Sequence, residues 1–237
     1  MAKDVFVARD LSLENCVLCG ANRLAFYHRD ARREYWRCGV CELVQVPRSW
    51  HLDPAAEKAH YDLHENHADD PGYRRFLART FNPVVAKLGA GAEGLDFGCG
   101  PGPTLSLMFR EAGFSCVEYD LFYAPDDSVL QRQYDFITAT EVVEHLSMPG
   151  PVLNRLWRLL RPGGVLALMT KRVLSVDKFA TWHYRADPTH IVFFHQHTFE
   201  WLARHWGAEA VFPESDVVLF QCIQDRQQSG ADRLDSE

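Results

Sequence analysis

The stretch LDFGCGPGPT, residues 95–104, limits what this chain can fold into more than any other. Three glycines at alternate positions, Gly98, Gly100 and Gly102, follow a carboxylate, Asp96. Glycine reaches positive φ at little steric cost and lets main chain approach a ligand closely. The pattern predicts a short strand over 94–97, a tight turn, and a helix beginning near Pro103, since proline is pre-set for a first helical turn. Leu105, Leu107, Met108, Phe109 and Ala112 supply that helix's apolar side, and Gly113 stops it. Strand, glycine turn and helix in this order form the corner that cradles a nucleotide in an open α/β sheet. The third glycine comes one residue earlier than in G-x-G-x-x-G, so this turn differs from the one that holds a dinucleotide pyrophosphate.

The downstream pattern extends the sheet. FSCVEYD (114–120) reads as a second strand, and it ends in Asp120. YDFITATE (134–141) and GVLALMT (164–170) read as further strands, and TFEWLARHWG (198–207) as an amphipathic helix ended by glycine. AEAVFPESDVVLFQCI (208–223) reads as two closing strands. Strands alternating with helices call for a mostly parallel sheet with helices on both faces.

LDFGCGPG resembles the first motif, E/D-x-G-x-G-x-G, of class I S-adenosylmethionine (SAM)-dependent methyltransferases. YDFITATEVVEHL (134–146) and LRPGGVLALMT (160–170) resemble that family's fourth and fifth strands, and the resemblance runs through most of residues 94–222. It implies an α/β fold: a Rossmann-like, mostly parallel seven-stranded sheet with a final antiparallel strand. It also implies SAM as cofactor, with Asp96, Phe97, Gly98, Cys99, Gly100 and Gly102 around its amino-acid end. Asp120 lies near the family's expected distance from the glycines and would accept from the ribose hydroxyls. Glu141 would line the same site. Between Asp120 and Tyr134, where the family fits a helix and its third strand, this chain has only the short span 121–133, which includes Pro125. The helix there is expected to be short or absent, with Asp126 and Asp127 as candidates for the adenine amino group.

Methyl transfer is an in-line displacement, so much of its catalysis is positioning. A general base is needed only when the acceptor must lose a proton. TWHYRADPTHIVFFHQHTFEWL (181–202) follows the fifth strand, at the carboxyl edge where open sheets bind ligands. Tyr184, Asp187, His190, Phe193 and Phe194 are expected to line one pocket there, with Asp187 orienting the His190 imidazole. The segment resembles the Y-x-E/D-H-x-x-F/Y-F region of zinc-containing sugar C-methyltransferases, which implies His190 as a base; a histidine that only hydrogen-bonds a loop is the alternative. His145, in EVVEHL, reads mainly as pocket structure beside the cofactor, and Tyr184 completes the catalytic candidates. No Asn/Asp-Pro-Pro-aromatic motif follows the fourth strand and no Pro-Cys nucleophile is present. A small-molecule acceptor is therefore expected. The alternatives are an rRNA, tRNA or protein methyltransferase that recognises its substrate through the N-terminal module, or a non-catalytic zinc-ribbon adaptor.

That module is defined by two pairs, Cys16-x2-Cys19 and Cys38-x2-Cys41, on either side of the span 20–37. Four thiolates at this spacing can surround a tetrahedral zinc ion with no position left for water, which makes the metal structural. Two disulfides are the alternative, disfavoured in a reducing compartment. The aromatic stretch between the knuckles reads as a hairpin. Its arginines, Arg23, Arg29, Arg32, Arg33 and Arg37, suggest either a solvated face or an RNA-facing patch, with Asp30 and Glu34 interrupting it. Cys99, Cys116 and Cys222 read as buried bystanders.

The expected layout is a zinc ribbon over 1–47, a helical linker or lid over 48–92, the SAM-binding domain over 93–225 and a disordered tail over 226–237. His60, His64 and His67 would share one helical face, and Tyr61, His64, Asn66 and Tyr73 are pocket candidates in the lid. A net charge of −7 argues against general affinity for nucleic acid. The absence of any long apolar run argues against membrane insertion, and a cytoplasmic location is expected.

Overall fold

The structure, a computed structural model, describes residues 15–63 and 67–222. The expected tail, together with His64 and Asn66, lies outside the described residues. The chain begins with β1 (Leu24–Arg29), β2 (Glu34–Cys38) and β3 (Val44–Gln45), then α1 (Pro54–Tyr61) and α2 (Pro71–Val85). Next come β4 (Glu93–Phe97), α3 (Thr104–Glu111), β5 (Ser115–Tyr119), β6 (Tyr134–Thr140), α4 (Pro149–Arg158) and β7 (Leu160–Met169). The last elements are β8 (Arg172–Val173), α5 (Val176–Ala180), β9 (Val192–His195), α6 (Gln196–Trp206), β10 (Ala208–Glu214) and β11 (Val217–Cys222).

The main sheet has the order β10-β11-β7-β6-β4-β5. Strands β5, β4, β6 and β7 run parallel, while β11 and β10 close the edge antiparallel. Among the described residues it has six strands and not the expected seven. The span 121–133 is too short for a helix and a strand. It holds a bridge between Asp120 and Ala124 and a 3₁₀ turn over Asp127–Gln131. Asp126 caps that turn by accepting from Ser128 N–H, and Asp127 accepts from the Tyr119 hydroxyl, so both carboxylates have local partners.

The pleat sorts the core. Phe136, Val165, Ala167 and Met169 face α2 and α3, packing with Leu77, Val84, Leu105 and Phe109. The alternate residues Ile137, Leu166 and Leu168 face α4 and α6, packing with Leu153, Trp157, Phe199 and Trp206. A strand buried on both faces reads as an unbroken apolar run, as VLALM does. Gly94 has no side chain because an added Cβ would lie 2.1 Å from the Phe136 ring. Gly207, at φ 62°, ends α6 in the left-handed conformation.

The hairpin is not a sheet of its own. β3 pairs antiparallel with β9, Val44 opposite Phe193, and β9 pairs parallel with β8, giving a second sheet in the order β1-β2-β3-β9-β8. The first cysteine knuckle also docks on the start of α4, where Gly150 N–H donates to Val17 O. The approach is close enough that a Cβ at Gly150 would meet Leu18 O at 2.3 Å. Of the described lid histidines, His60 lies in α1, which ends at Tyr61, and His67 lies outside it, so these two do not share a helix face. Among the described residues no helix is long and apolar enough to cross a membrane.

Candidate functional site

The glycine loop leaves β4 at the carboxyl edge of the parallel strands. Gly98 (φ 76°) and Gly100 (φ 66°) take left-handed conformations, whereas Gly102 does not. The first two serve different ends. A Cβ at Gly98 would lie 2.4 Å from a Val142 methyl, so its bareness permits packing; a Cβ at Gly100 would meet nothing within 4 Å, so it faces open space. Gly98 N–H donates to Tyr119 O at 2.7 Å, and Cys99 N–H reaches the same carbonyl at 3.3 Å. Asp120, just past β5, accepts from Gly100 N–H through Oδ2 (3.0 Å) and from Phe122 and Tyr123 N–H through Oδ1 (2.8 and 3.1 Å). The Phe97 ring stacks on Tyr119 at 5.3 Å at the base of the loop.

Asp96 is buried and accepts from the Thr138 hydroxyl at 2.8 Å. Burial raises its pKa to about 6, against the opposing pull of Thr138 and the Ser106 main chain in α3. It therefore ties β4, β6 and the start of α3 together. From α2, Tyr73 comes close enough to Asp96, Glu141 and Cys99 for their charges to act on its hydroxyl, which burial pushes up to about 12. Cys99 is half-buried and Cys116 buried, and burial pushes the Cys99 thiol up to about 12.

A second group of polar side chains gathers past β6 and β7. Glu141 has φ 52°, which a non-glycine residue adopts only when its surroundings hold it there; its N–H donates to Met169 O at 2.8 Å. Glu144, fully buried in the following 3₁₀ turn, accepts from the Tyr184 hydroxyl, which also lies 3.1 Å from Thr170 Oγ1 and 3.5 Å from Glu141 Oε2. Glu141 Oε1 and Glu144 Oε2 have no hydrogen-bond partner. Burial pushes Glu144 up to about 8, with Glu141's charge adding to it, and Glu141 itself up to about 7.

Two histidines complete this group. His190 Nδ1 lies 2.7 Å from Tyr184 O and His145 Nδ1 lies 3.1 Å from Thr189 O. A carbonyl only accepts, so each neutral ring carries its proton on Nδ1 and its lone pair on Nε2. The rings stand 4.7 Å apart. One ligand atom each from Glu144, His145 and His190 lie within 4.8 Å of one another, close enough to share a cation. Burial lowers the pKa of His190, opposed by Asp187, so its imidazole is neutral near pH 7.

Three expectations need correction. Asp187 does not orient His190, standing 3.9 Å from its Nε2; it accepts from Thr189 N–H and Oγ1 and pairs with His60 at 3.3 Å. Phe193 and Phe194 do not share a pocket wall, because as neighbours in β9 they point to opposite sides and pack in different cores. The arginines form no single patch: Arg33 is buried, Arg29 pairs with Glu34, and Arg37 lies over the Tyr27 ring. Reading the sequence missed Glu144, Thr170 and Thr138. Two acids three apart in EVVEH, Glu141 and Glu144, are the local signal for this pair.

At the knuckles, the sulfurs of Cys16 and Cys41 lie 3.5 Å apart and those of Cys19 and Cys38 3.6 Å, all four within 4.8 Å of one another. This is far beyond a disulfide bond and near the roughly 3.8 Å separation of sulfurs around one tetrahedral zinc. The thiols are therefore not paired as two disulfide bridges, and their spacing could hold one metal ion.

An open α/β sheet with a glycine loop at its carboxyl edge and an acid past the second strand defines a nucleotide-type cofactor site. The sequence model of the methyltransferase domain family matches residues 66–211, more than half of the chain, and the chain belongs to that family. A ubiquinone biosynthesis O-methyltransferase from Pseudomonas savastanoi pv. phaseolicola is 34% identical over 88 residues, which cover 37% of this chain and 38% of that protein. Its counterpart in Colwellia psychrerythraea is 32% identical over 88 residues, covering 36% and 35%. The match thus spans well under half of the curated relatives' length. Among solved structures, the 1,6-didemethyltoxoflavin-N1-methyltransferase of Burkholderia thailandensis, with bound 1,6-didemethyltoxoflavin and S-adenosylhomocysteine, is 16% identical with a TM-score of 0.47, covering 84% of this chain and 99% of that one. A SAM-dependent methyltransferase from Thermotoga maritima, described as a possible histamine N-methyltransferase, is 16% identical with a TM-score of 0.38, covering 64% and 95%.

Proposed function

We propose that this protein transfers the methyl group of SAM to a hydroxyl of a small molecule. One observation carries the reading: within a methyltransferase-family glycine loop, Gly100 is held left-handed against open space by the Asp120 carboxylate. That space suits the cofactor, whose sulfonium supplies an electrophilic methyl group. The bare main chain at Gly100 would let the cofactor approach the loop closely, the remaining lone pair on Asp120 Oδ2 could accept from a ribose hydroxyl, and Tyr73 would cover the site from α2.

On the acceptor side, Glu141, Glu144, Tyr184, His145 and His190 form a buried group that can orient a hydroxyl and remove its proton. His190 is the proposed base, since its Nε2 lone pair is fixed by the Nδ1 bond to Tyr184 O and its imidazole is neutral at pH 7. The named activity of the curated relatives supports a hydroxyl acceptor. Arg33 lies buried in the hairpin, which weakens the RNA-facing reading of the arginines. We further propose that the four thiolates hold a structural zinc.

The unpartnered, buried Glu144 Oε2 favours a second reading, in which Glu144, His145 and His190 hold a divalent cation that lowers the acceptor's pKa. Two measurements decide between these readings. Calorimetry should detect SAM and not NAD, and absence of SAM binding overturns the methyltransferase reading. Methyl uptake from labelled SAM, screened with phenolic and catecholic acceptors, should then be compared with and without added Mg²⁺ or Mn²⁺. Activity indifferent to the cations retains His190 as base; activity that requires them, and that Glu144→Gln removes, replaces it.

A further inference from the structure

Arg33 lies in the turn joining β1 to β2, yet it is only 6% exposed. Its guanidinium donates to the carbonyls of Arg185 (2.6 Å), Asp187 (2.7 Å) and Pro188 (3.2 Å), and to the Tyr35 hydroxyl (3.0 Å). The neighbouring residues of the turn grip the same segment. Arg32 donates to Ala186 O at 3.3 Å, and Asp30 takes the Arg185 guanidinium while accepting from the Tyr35 hydroxyl at 2.8 Å. Each residue from 185 to 188 is thus held through its main-chain carbonyl by a turn that lies far earlier in the chain.

The held segment connects two residues of the acceptor side. At one end Tyr184 donates to Glu144; at the other, His190 receives its orientation from Tyr184 O, and its own N–H donates to Asp187 O at 3.3 Å. Displacing the carbonyls of 185–188 would therefore separate Tyr184 O from His190 Nδ1. The buried guanidinium donates to three carbonyls and a hydroxyl, so its planar fork fixes those three carbonyls in one arrangement. An ammonium in its place has three donors in a compact head and cannot span all four acceptors.

We propose that Arg33 is a positioning residue, through which the N-terminal hairpin sets the Tyr184–His190 segment and so forms part of the acceptor side of the site. The acceptor role of that segment rests on the proposed function; the geometric coupling does not. The hairpin is then a brace inside the protein and not an arm that reaches for nucleic acid.

The test is ¹⁵N-histidine spectroscopy on the full chain at pH 8, with SAM affinity measured alongside. The wild type should show His190, assigned by its loss in His190→Gln, as a single Nδ1–H tautomer. Arg33→Ala should turn it into a mixture of tautomers. Arg33→Lys should retain part of the single form, and the SAM dissociation constant should stay within about twofold because the loop is a separate site. A folded Arg33→Ala protein with the wild-type His190 signal overturns the proposal. If Arg33→Ala does not fold, Arg33→Lys and Asp30→Asn decide: an unchanged His190 tautomer in both overturns it, and a mixture in either upholds it. A wild type that shows the coupling but binds no SAM refutes the proposed function alone.

Discussion

Oδ2 of Asp120 lies 3.0 Å from the amide nitrogen of Gly100, so the acid that follows β5 holds the glycine loop that follows β4. The carboxylate therefore has a structural task before any cofactor arrives. Its other oxygen secures the turn at Phe122 and Tyr123. Asp120→Ala should cost both stability and SAM affinity, the latter by about 1–3 kcal/mol, from unpaired loop and ribose donors. Thermal melts and calorimetry on the same sample check this. A variant with normal affinity would remove Asp120 from the cofactor site.

Gly98 and Gly100 should fail differently when substituted. Gly98→Ala drives a Cβ into Val142 in a left-handed conformation and should destabilise the fold by about 1–3 kcal/mol. At Gly100→Val the new Cβ meets nothing within 4 Å beyond its chain neighbours, so the cost to folding should be mainly the left-handed strain of about 1–2 kcal/mol. It should nonetheless abolish SAM binding, because the side chain fills the space left for the ligand. Denaturant melts and SAM titrations on both variants separate packing from binding; a Gly100→Val protein that binds SAM normally would disprove the assignment of that space.

Much of this half of the molecule was legible in the sequence, because its signals are local. LDFGCGPG signals a tight turn, and VLALM, short and preceded by Gly163 and Gly164, fits a strand covered on both faces better than a helix. The acceptor side was less legible because its contacts are long-range. Nothing local to EVVEH reveals that Tyr184, far along the chain, will meet Glu144. An arginine in a charged hairpin likewise reads as solvated until the segment that covers it is known. The short span after Asp120 signals a short or absent helix, but not that the strand after it is missing as well from the six-stranded sheet of the described residues.

Asp96 makes stability depend on pH. Its pKa is raised to about 6 in the fold from an ordinary value of 3.8, so the folded state binds the proton more tightly than the unfolded chain. Its contribution is full below about pH 4, is lost as pH rises towards 6, and stays absent above that, a change on the order of 3 kcal/mol. Asp96→Asn keeps an oxygen for the Thr138 hydroxyl and removes the titration. Unfolding free energy measured from pH 4 to 7 should therefore fall more steeply in the wild type than in the variant, and parallel curves would contradict the burial argument.

Zinc at the knuckles is the last expected outcome. The four sulfurs approach one another from two turns, one leading into β1 and one leading out of β2, and three of the four cysteines are buried. Bare thiolates so close would repel, whereas one zinc ion neutralises them and closes the base of the hairpin. Purified protein should contain one zinc per chain, and Cys38→Ser should lower both zinc content and melting temperature. The hairpin docks on α4 and continues into β9, so loosening its base should also disturb the rest of the fold. Elemental analysis and a melt with and without a strong chelator test this together. Protein without zinc that melts at the same temperature after chelation, with all four thiols free to react, would show that packing alone holds the cysteines together.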